Sequence, residues 1–286
     1  MKTCVQCNCE LKQNTWNCSE CGYKPQLENG RLVLSLQSQE IGFEAEAFNR
    51  LVKVEENSFW FCARNKLINL AIKTYFSNIH NFLEVGCGTG FVLSGINRAF
   101  PKLDLYGSEA LAYGLEFASN RVPKATLFQM DARKIPFKEE FEVIGAFDML
   151  EHVLEDKVVL QQMYRAIKPG GGLILTVPQH KFLWSTVDEL SHHFRRYSSQ
   201  ELKTKVESCG FKIIRMTSFV TLLLPLFFLS RLKFKLFKSK KIDMSEFNLN
   251  KCINLLLEKV LDLECLFIKL GISLPIGSSL LLVARK

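Results

Sequence analysis

Beyond residue 80 the chain alternates short apolar runs with stretches whose apolar positions recur every three or four residues. NFLEV (81–85), LDLYGSE (103–109), ATLFQMDA (125–132), EVIGAFDML (142–150), LILTVP (173–178) and FKIIRMT (211–217) read as strands. FVLSGINRAF (91–100), LAYGLEFASNR (111–121) and LQQMYRAIKPGG (160–171) carry the helical period, and the last stops at a Pro-Gly pair. Such alternation predicts an α/β fold: a mostly parallel sheet, helices on both faces, and ligands at the strand carboxyl ends.

Residues 218–271 break this rhythm and read as an insertion that a plain fold would replace with a short turn. It opens with TLLLPLFFLSRLKFKLFKSKK (221–241), where Leu229, Leu232 and Leu236 form one helical stripe and Arg231, Lys235 and Lys238 another. The apolar part is shorter than the ~18 residues a bilayer span requires, and Pro225 interrupts it. The segment fits a helix lying in a membrane interface, or a core helix with a solvated exit. NKCINLLLEKVLDLECLFIKL (250–270) sets Glu258, Asp262 and Lys269 opposite a broad apolar face, a pattern met more often in core packing.

Charge and cysteine usage narrow the function classes. The net charge is +8, and six of the 37 cations lie between Arg231 and Lys241, which favours an anionic membrane or ligand patch over a generally basic surface. The first residues, MKTCVQCNCE, lack the apolar core and cleavage site of a secretory leader. Ten cysteines in that context predict a reducing compartment, hence a cytoplasmic protein.

Four of the cysteines form two CxxC pairs, Cys4/Cys7 and Cys18/Cys21, followed by the turn formers Asn8 and Gly22. Two such knuckles supply four thiolates for tetrahedral Zn²⁺ and leave no open position, so the ion is structural. Cys9 is set aside as a spare. A ribbon this small has no core of its own and folds on its metal. GYKPQLENGRLVLSL (22–36) reads as its closing strand, with Asn29-Gly30 as a hairpin turn.

The glycine loop after the first strand decides the ligand class. Gly86, Gly88 and Gly90 are spaced by two, whereas a dinucleotide fingerprint requires a glycine at 91, which is Phe91. No Gly-Lys-Ser/Thr follows, so this is not a P-loop. Glu109 ends the second strand, where a carboxylate can hold two ribose hydroxyls, and Asp131 ends the third, within reach of an adenine amino group. Glu84, inside the first strand, suits a ligand ammonium.

LEVGCGTG, LYGSE, QMDARKIPF, FEVIGAFDMLEHV and RAIKPGGGLILTVP, in that order, resemble the successive motifs of the class I S-adenosylmethionine-dependent methyltransferases over about His80 to Thr217. The resemblance implies a Rossmann-like sheet of six parallel strands plus one antiparallel, the last being GSSLLLVARK at the C-terminus. It also implies that Glu84, Gly86 and Gly88 contact the methionine moiety, Glu109 the ribose, and Asp131 with Ala132 the adenine, while Phe147 lines the cofactor. Glu142 departs conservatively from the family's aspartate before the fourth strand. The chain thus divides into a zinc ribbon (1–36), a helical lead-in (37–79), the S-adenosylmethionine-binding core (80–217), an apolar and basic insertion (218–271), and the final strand (272–286).

No Asn/Asp-Pro-Pro-Tyr/Phe motif and no Pro-Cys nucleophile follow the fourth strand, which argues against nucleic-acid amino or cytosine C5 methylation. Instead FDMLEHV, and then DELSHHFRRYSS after the fifth strand, resemble bacterial methyltransferases of the type 11/12 group, often associated with envelope glycans and lipid-linked saccharides. His193 and His152 are the candidate general bases, Asp188 stands beside them in sequence, and Arg195 and Arg196 are candidates to grip an acidic acceptor. A lid helix with structural hydrogen bonds is the equal alternative. The expected activity is methyl transfer to a small-molecule or lipid-linked acceptor, peripheral at the inner face of the membrane. Two alternatives stand beside it: a zinc-ribbon ribosomal-RNA guanine methyltransferase, and a non-catalytic scaffold of this fold. The ribbon, with Lys2, Lys12 and Lys24 against Glu10 and Glu20, is a poor RNA surface, so nucleic acid is not the expected partner.

Overall fold

The computed structural model describes residues 1–12, 15–34, 45–237 and 249–286. Among the described residues the strands form one sheet of nine, in the order β1-β2-β5-β4-β3-β6-β7-β9-β8. The central strands are β3 (Asn81–Val85), β4 (Asp104–Glu109), β5 (Thr126–Gln129), β6 (Phe141–Phe147) and β7 (Ile167–Pro178), all parallel. β9 (Ser279–Arg285) slots antiparallel between β7 and β8 (Lys212–Phe219). This is the Rossmann-like class I methyltransferase sheet, closed by an antiparallel C-terminal strand.

Period-two alternation within apolar strands explains how both faces are covered. Phe82, Val143, Ile174 and Leu281 point into one buried layer, while their neighbours Leu83, Ile144, Leu173 and Leu280 point into the other. The first layer is roofed by α2 (Phe59–Tyr75), α3 (Phe91–Ala99), α4 (Ala112–Arg121) and α9 (Lys251–Lys269). The second is roofed by α5 (Asp156–Ala166) and α7 (Ser199–Ser208). α5 ends at Ala166, ahead of the expected Pro-Gly stop, because Ile167 already pairs with Phe141 and the glycines form a register shift within β7.

The N-terminal hairpin does more than close a ribbon. β1 (Gln26–Glu28) and β2 (Arg31–Val33) turn through Asn29 (φ 50°) and Gly30 (φ 76°), the positive dihedrals a two-residue hairpin needs. β2 then pairs parallel with β5, so the hairpin extends the main sheet beyond the expected seven strands. Trp16 holds the ribbon down, edge-on to Phe137 and Phe128 at 5.5 and 6.1 Å between ring centroids.

Helix α1 (Ala45–Glu55) and α2 precede the core, and α8 (Leu224–Phe237) and α9 form the late insertion. α9 packs on α2 through Leu261 and Ile268, and its buried Glu264 accepts from the Thr221 and Leu222 amides at 2.8 and 3.0 Å. Glu258 and Asp262, on the side opposite the apolar face, pair with Lys66 of α2. Ile253, Leu255, Leu256, Leu263 and Leu266 are left exposed, as are Leu226, Phe228 and Leu229 of α8. No described helix is long and apolar enough to cross a membrane. Lys238, Lys240 and Lys241 of the basic run lie outside the described residues.

Candidate active site

A cavity of about 790 Å³ opens at the carboxyl ends of β3, β4, β5 and β6. One end is built by the glycine loop. Gly86 has φ 74°, and a Cβ there would lie 2.2 Å from the Met149 side chain, so the loop turns back under β6 only as glycine. At Gly88 a Cβ would meet nothing closer than a Phe48 ring carbon at 3.9 Å, and its backbone borders the cavity.

Glu109, at the end of β4, is the hub of this end. Its Oε2 accepts from the Gly88 amide at 3.0 Å, and its Oε1 accepts from Ala110 and Leu111 at 2.8 and 3.2 Å. Burial raises its carboxyl above the ordinary range while those three donors pull the other way. Glu84 is buried on β3, with Oε2 lacking any partner among the described residues. Burial pushes its carboxyl well up, opposed mainly by Arg64. An unpartnered buried carboxylate oxygen beside a glycine loop fits a ligand's ammonium group. Asp131 is gripped by Arg133, whose Nε lies 3.1 and 3.2 Å from its two oxygens. Ala132, Met130 and Phe147 complete the wall, and Phe147 stacks on Phe82 at 6.4 Å.

The other end gathers titratable groups from two loops. A turn of 3₁₀ helix, Leu150–His152, follows β6 and buries Glu151 completely. The second loop runs from β7 through α6 (Thr186–Leu190) to Tyr197. There Asp188 receives Arg196 Nε at 2.7 Å, Arg196 Nη2 at 3.0 Å, and the Ser185 amide and hydroxyl at 2.8 and 3.0 Å. His193 Nδ1 stands 2.9 Å from Asp188 Oδ1. Burial opposes the Asp188 charge, yet His193 and Arg196 hold its carboxyl well below the usual range. His152 meets His193 edge-on at 4.7 Å, and burial together with that neighbour pushes it down to about 3.

The expected residues therefore sort into groups. His193, His152 and Asp188 converge on the cavity, as do Glu84, Gly86, Gly88, Glu109, Asp131, Ala132 and Phe147. Of the two arginines, Arg196 also lines the cavity and Arg195 does not. Arg196 is spent on Asp188 and the Gln179 carbonyl, and Arg195 pairs with Asp156 at 2.7 Å and the Leu154 carbonyl at 2.9 Å. Both guanidiniums have carboxylate partners inside the fold, as the alternative of structural hydrogen bonds expects.

Sequence reasoning passed over four participants. Arg64 of α2 pairs with Asp148, which also accepts from Thr176 Oγ1 at 2.9 Å. Glu55 of α1 accepts from Thr89 Oγ1 in the glycine loop at 2.8 Å and pairs with Arg121. Arg133 was signalled only by its place two residues after Asp131, and Glu151 only by its place within DMLEHV. Arg64 and Glu55 sit in a lead-in that carries no motif.

A second constellation lies in the ribbon. Cys4 and Cys21 sulfurs are 3.6 Å apart, as are those of Cys7 and Cys18, and all four lie within 4.8 Å of one another. Asn8 (φ 61°) and Gly22 (φ 73°) close the two knuckles, donating to the Cys4 and Cys18 carbonyls at 2.9 and 3.1 Å. Cys9, set aside on spacing, has its sulfur 3.2 Å from Cys18 and 3.3 Å from Cys7, at the edge of the cluster.

Comparison with known proteins agrees with this geometry. A 23% identical match covers 69% of this chain and 40% of the biotin biosynthesis bifunctional protein BioHC of Teredinibacter turnerae. The ubiquinone biosynthesis O-methyltransferase of Pseudomonas putida is 31% identical over 31% of this chain and 40% of its own length. The matches thus span about two-fifths of these curated relatives. Among solved structures, a Haemonchus contortus phosphoethanolamine N-methyltransferase bound to S-adenosylhomocysteine superposes with a TM-score of 0.52 at 17% identity, covering 85% of this chain and 60% of that one. With residues 43–216 matching the family described as "Methyltransferase domain", the chain belongs to that family.

Proposed function

We propose that the protein methylates a small-molecule or lipid-linked acceptor, of the envelope-saccharide or polyprenyl type, while seated peripherally on the inner face of a membrane. The observation that carries the reading is one continuous cavity with two unlike ends: glycine loop and strand-end carboxylates at one, the Asp188–His193–His152 cluster at the other. S-Adenosylmethionine supplies a methyl carbon bound to sulfonium, so the protein's work is to position the acceptor and manage its proton. Glu84 with the Gly86–Gly88 backbone suits the methionine moiety, Glu109 the ribose, Asp131 and Ala132 the adenine, and Phe147 the wall between. Asp188 holds His193 in one orientation, leaving Nε2 toward the cavity beside His152, where an acceptor's proton has to go.

The apolar face supports the lipid side of the proposal. Phe227 of α8 lines the cavity while Leu226, Phe228 and Leu229 around it are exposed, continuous in sequence with the cations from Arg231 onward. The matched relatives' names, in biotin and ubiquinone biosynthesis, lean toward small-molecule chemistry. RNA is disfavoured further by pairings within the ribbon: Lys138 engages Glu10 at 2.7 Å and Lys2 lies over the Trp16 ring. Cys4, Cys7, Cys18 and Cys21 are assigned a structural zinc, because four thiolates on two knuckles leave no coordination position for chemistry.

The test is transfer of labelled methyl from S-adenosylmethionine into fractionated cell extract. Label entering the lipid or lipid-linked fraction is expected. Label confined to RNA or protein overturns the acceptor class.

A further inference from the structure

We propose that Glu151, His152 and His193 form a site for one divalent cation of the manganese–iron type, on the cavity wall that faces the acceptor. One donor atom from each residue lies within 4.8 Å of the other two. His193 Nε2 stands 3.9 Å from Glu151 Oε1. That is too long for a hydrogen bond, but it suits two ligands sharing an ion at roughly 2.1 Å each.

Glu151 carries the second, independent observation. It is 0% exposed, and neither of its carboxylate oxygens has a hydrogen-bond partner among the described residues. A buried carboxylate without partner or cation is strongly disfavoured, so the position calls for a positive ligand. The nearby guanidiniums do not fill that need by direct pairing: Arg64 is bonded to Asp148, and Arg196 to Asp188. Asp148 does not converge with these three donors, and its Oδ2 is bonded to Arg64 and Thr176.

The surroundings of the two imidazoles match a ligand role. His193 uses Nδ1 on Asp188 at 2.9 Å, and Asp188 is in turn fixed by Arg196 and Ser185. His152 hydrogen-bonds the Ser191 backbone. Metal-bound histidines commonly have their second nitrogen anchored in this way, to a carboxylate or a carbonyl. Two imidazoles and one carboxylate on a cavity wall leave coordination positions turned to the acceptor, and this donor set suits Mn²⁺ or Fe²⁺ better than the soft thiolates of the ribbon do. The inference rests on the reading of this cavity end as the acceptor's place. With the ion bound, His193 serves as a ligand and a positioning group.

The experiment uses the full chain with its ribbon loaded with zinc, titrated with Mn²⁺ and read by loss of the free-ion electron paramagnetic resonance signal. One equivalent is expected to bind. Glu151→Gln and His193→Ala are each expected to weaken it at least tenfold, and Mn²⁺ is expected to raise the melting temperature of the wild type but not of Glu151→Gln. Glu151→Gln is isosteric and removes an unpartnered charge, so folding is retained; S-adenosylmethionine affinity within about twofold of wild type checks it. Absence of bound Mn²⁺, or equal binding by wild type and both variants, overturns the site. Cofactor binding is measured separately, by calorimetry, so failure of the ion site and failure of the methyltransferase reading are distinguishable.

Discussion

Glu109→Gln is a sharp test because the carboxylate's two oxygens have unequal duties. Oε1 accepts from two amides, Ala110 and Leu111, and Oε2 from one, Gly88. In glutamine the carbonyl oxygen can replace only one of them. If it stays with Ala110 and Leu111, the amide nitrogen faces the Gly88 N–H, donor against donor. If it flips, two donors are orphaned instead. Each buried donor left unmet costs about 1–3 kcal/mol. For a chain of this size each ~1 kcal/mol lowers the melting temperature by roughly 2–4 °C, so the least damaging arrangement predicts a fall of roughly 2–12 °C. The proposed ribose contact fails with it: charge-assisted hydrogen bonds worth about 1.5–3 kcal/mol imply a tenfold to hundredfold weaker S-adenosylmethionine. Differential scanning fluorimetry and isothermal titration calorimetry read the two effects. A variant with wild-type melting temperature and wild-type affinity refutes both the hub role and the ribose assignment.

Glu84→Gln is expected to stabilise the ligand-free protein while weakening S-adenosylmethionine. An unfolded glutamate titrates near ~4.3 and the buried one higher, so between those values the folded chain holds the extra proton and loses stability as pH rises. The gain in melting temperature should therefore be larger at pH 7 than at pH 5; a lower value at both pH values contradicts it. Asp188→Asn releases His193 and leaves buried Arg196 without its counter-charge, so turnover should fall by roughly a hundredfold or more with a smaller change in cofactor affinity. Metal analysis should find about one zinc, lost in Cys18→Ser; four titratable free thiols in the protein as purified would remove the ribbon assignment. Flotation with anionic liposomes should be salt-sensitive and should drop when Arg231, Lys233, Lys235 and Lys238 are neutralised, whereas salt-independent flotation would point to the apolar face alone.

The fold was legible wherever local pattern and tertiary demand coincide. Strands such as LILTVP and SLLLVAR are apolar on both faces because both faces are covered, and GCGTG marks a turn only glycine permits. Legibility failed where a residue's role depends on its partner across the fold. For Arg195 and Arg196 the sequence left an anion grip and structural bonding equally open, because their carboxylate partners Asp156 and Asp188 are set by the tertiary fold. The pairing of Glu258 and Asp262 with Lys66, nearly two hundred residues earlier, is invisible to helical periodicity. The chain's own sheet extension was hidden for the same reason: LVL after a hairpin looks alike whether it closes a ribbon or joins β5.

That extension gives the cysteine knuckles a reach beyond their own few residues. β5 would otherwise be an open sheet edge, its Phe128 offered to any passing strand; β2 covers it, and the new border, β1, is only three residues long. The Leu34 amide also bonds the Gln129 carbonyl at 2.7 Å, two residues from Asp131 on the cavity wall. On the proposed zinc assignment, a cell short of the ion would produce this chain with an unguarded border, so scarcity should show first as insolubility, ahead of any loss of catalytic competence in the molecules that stay dispersed.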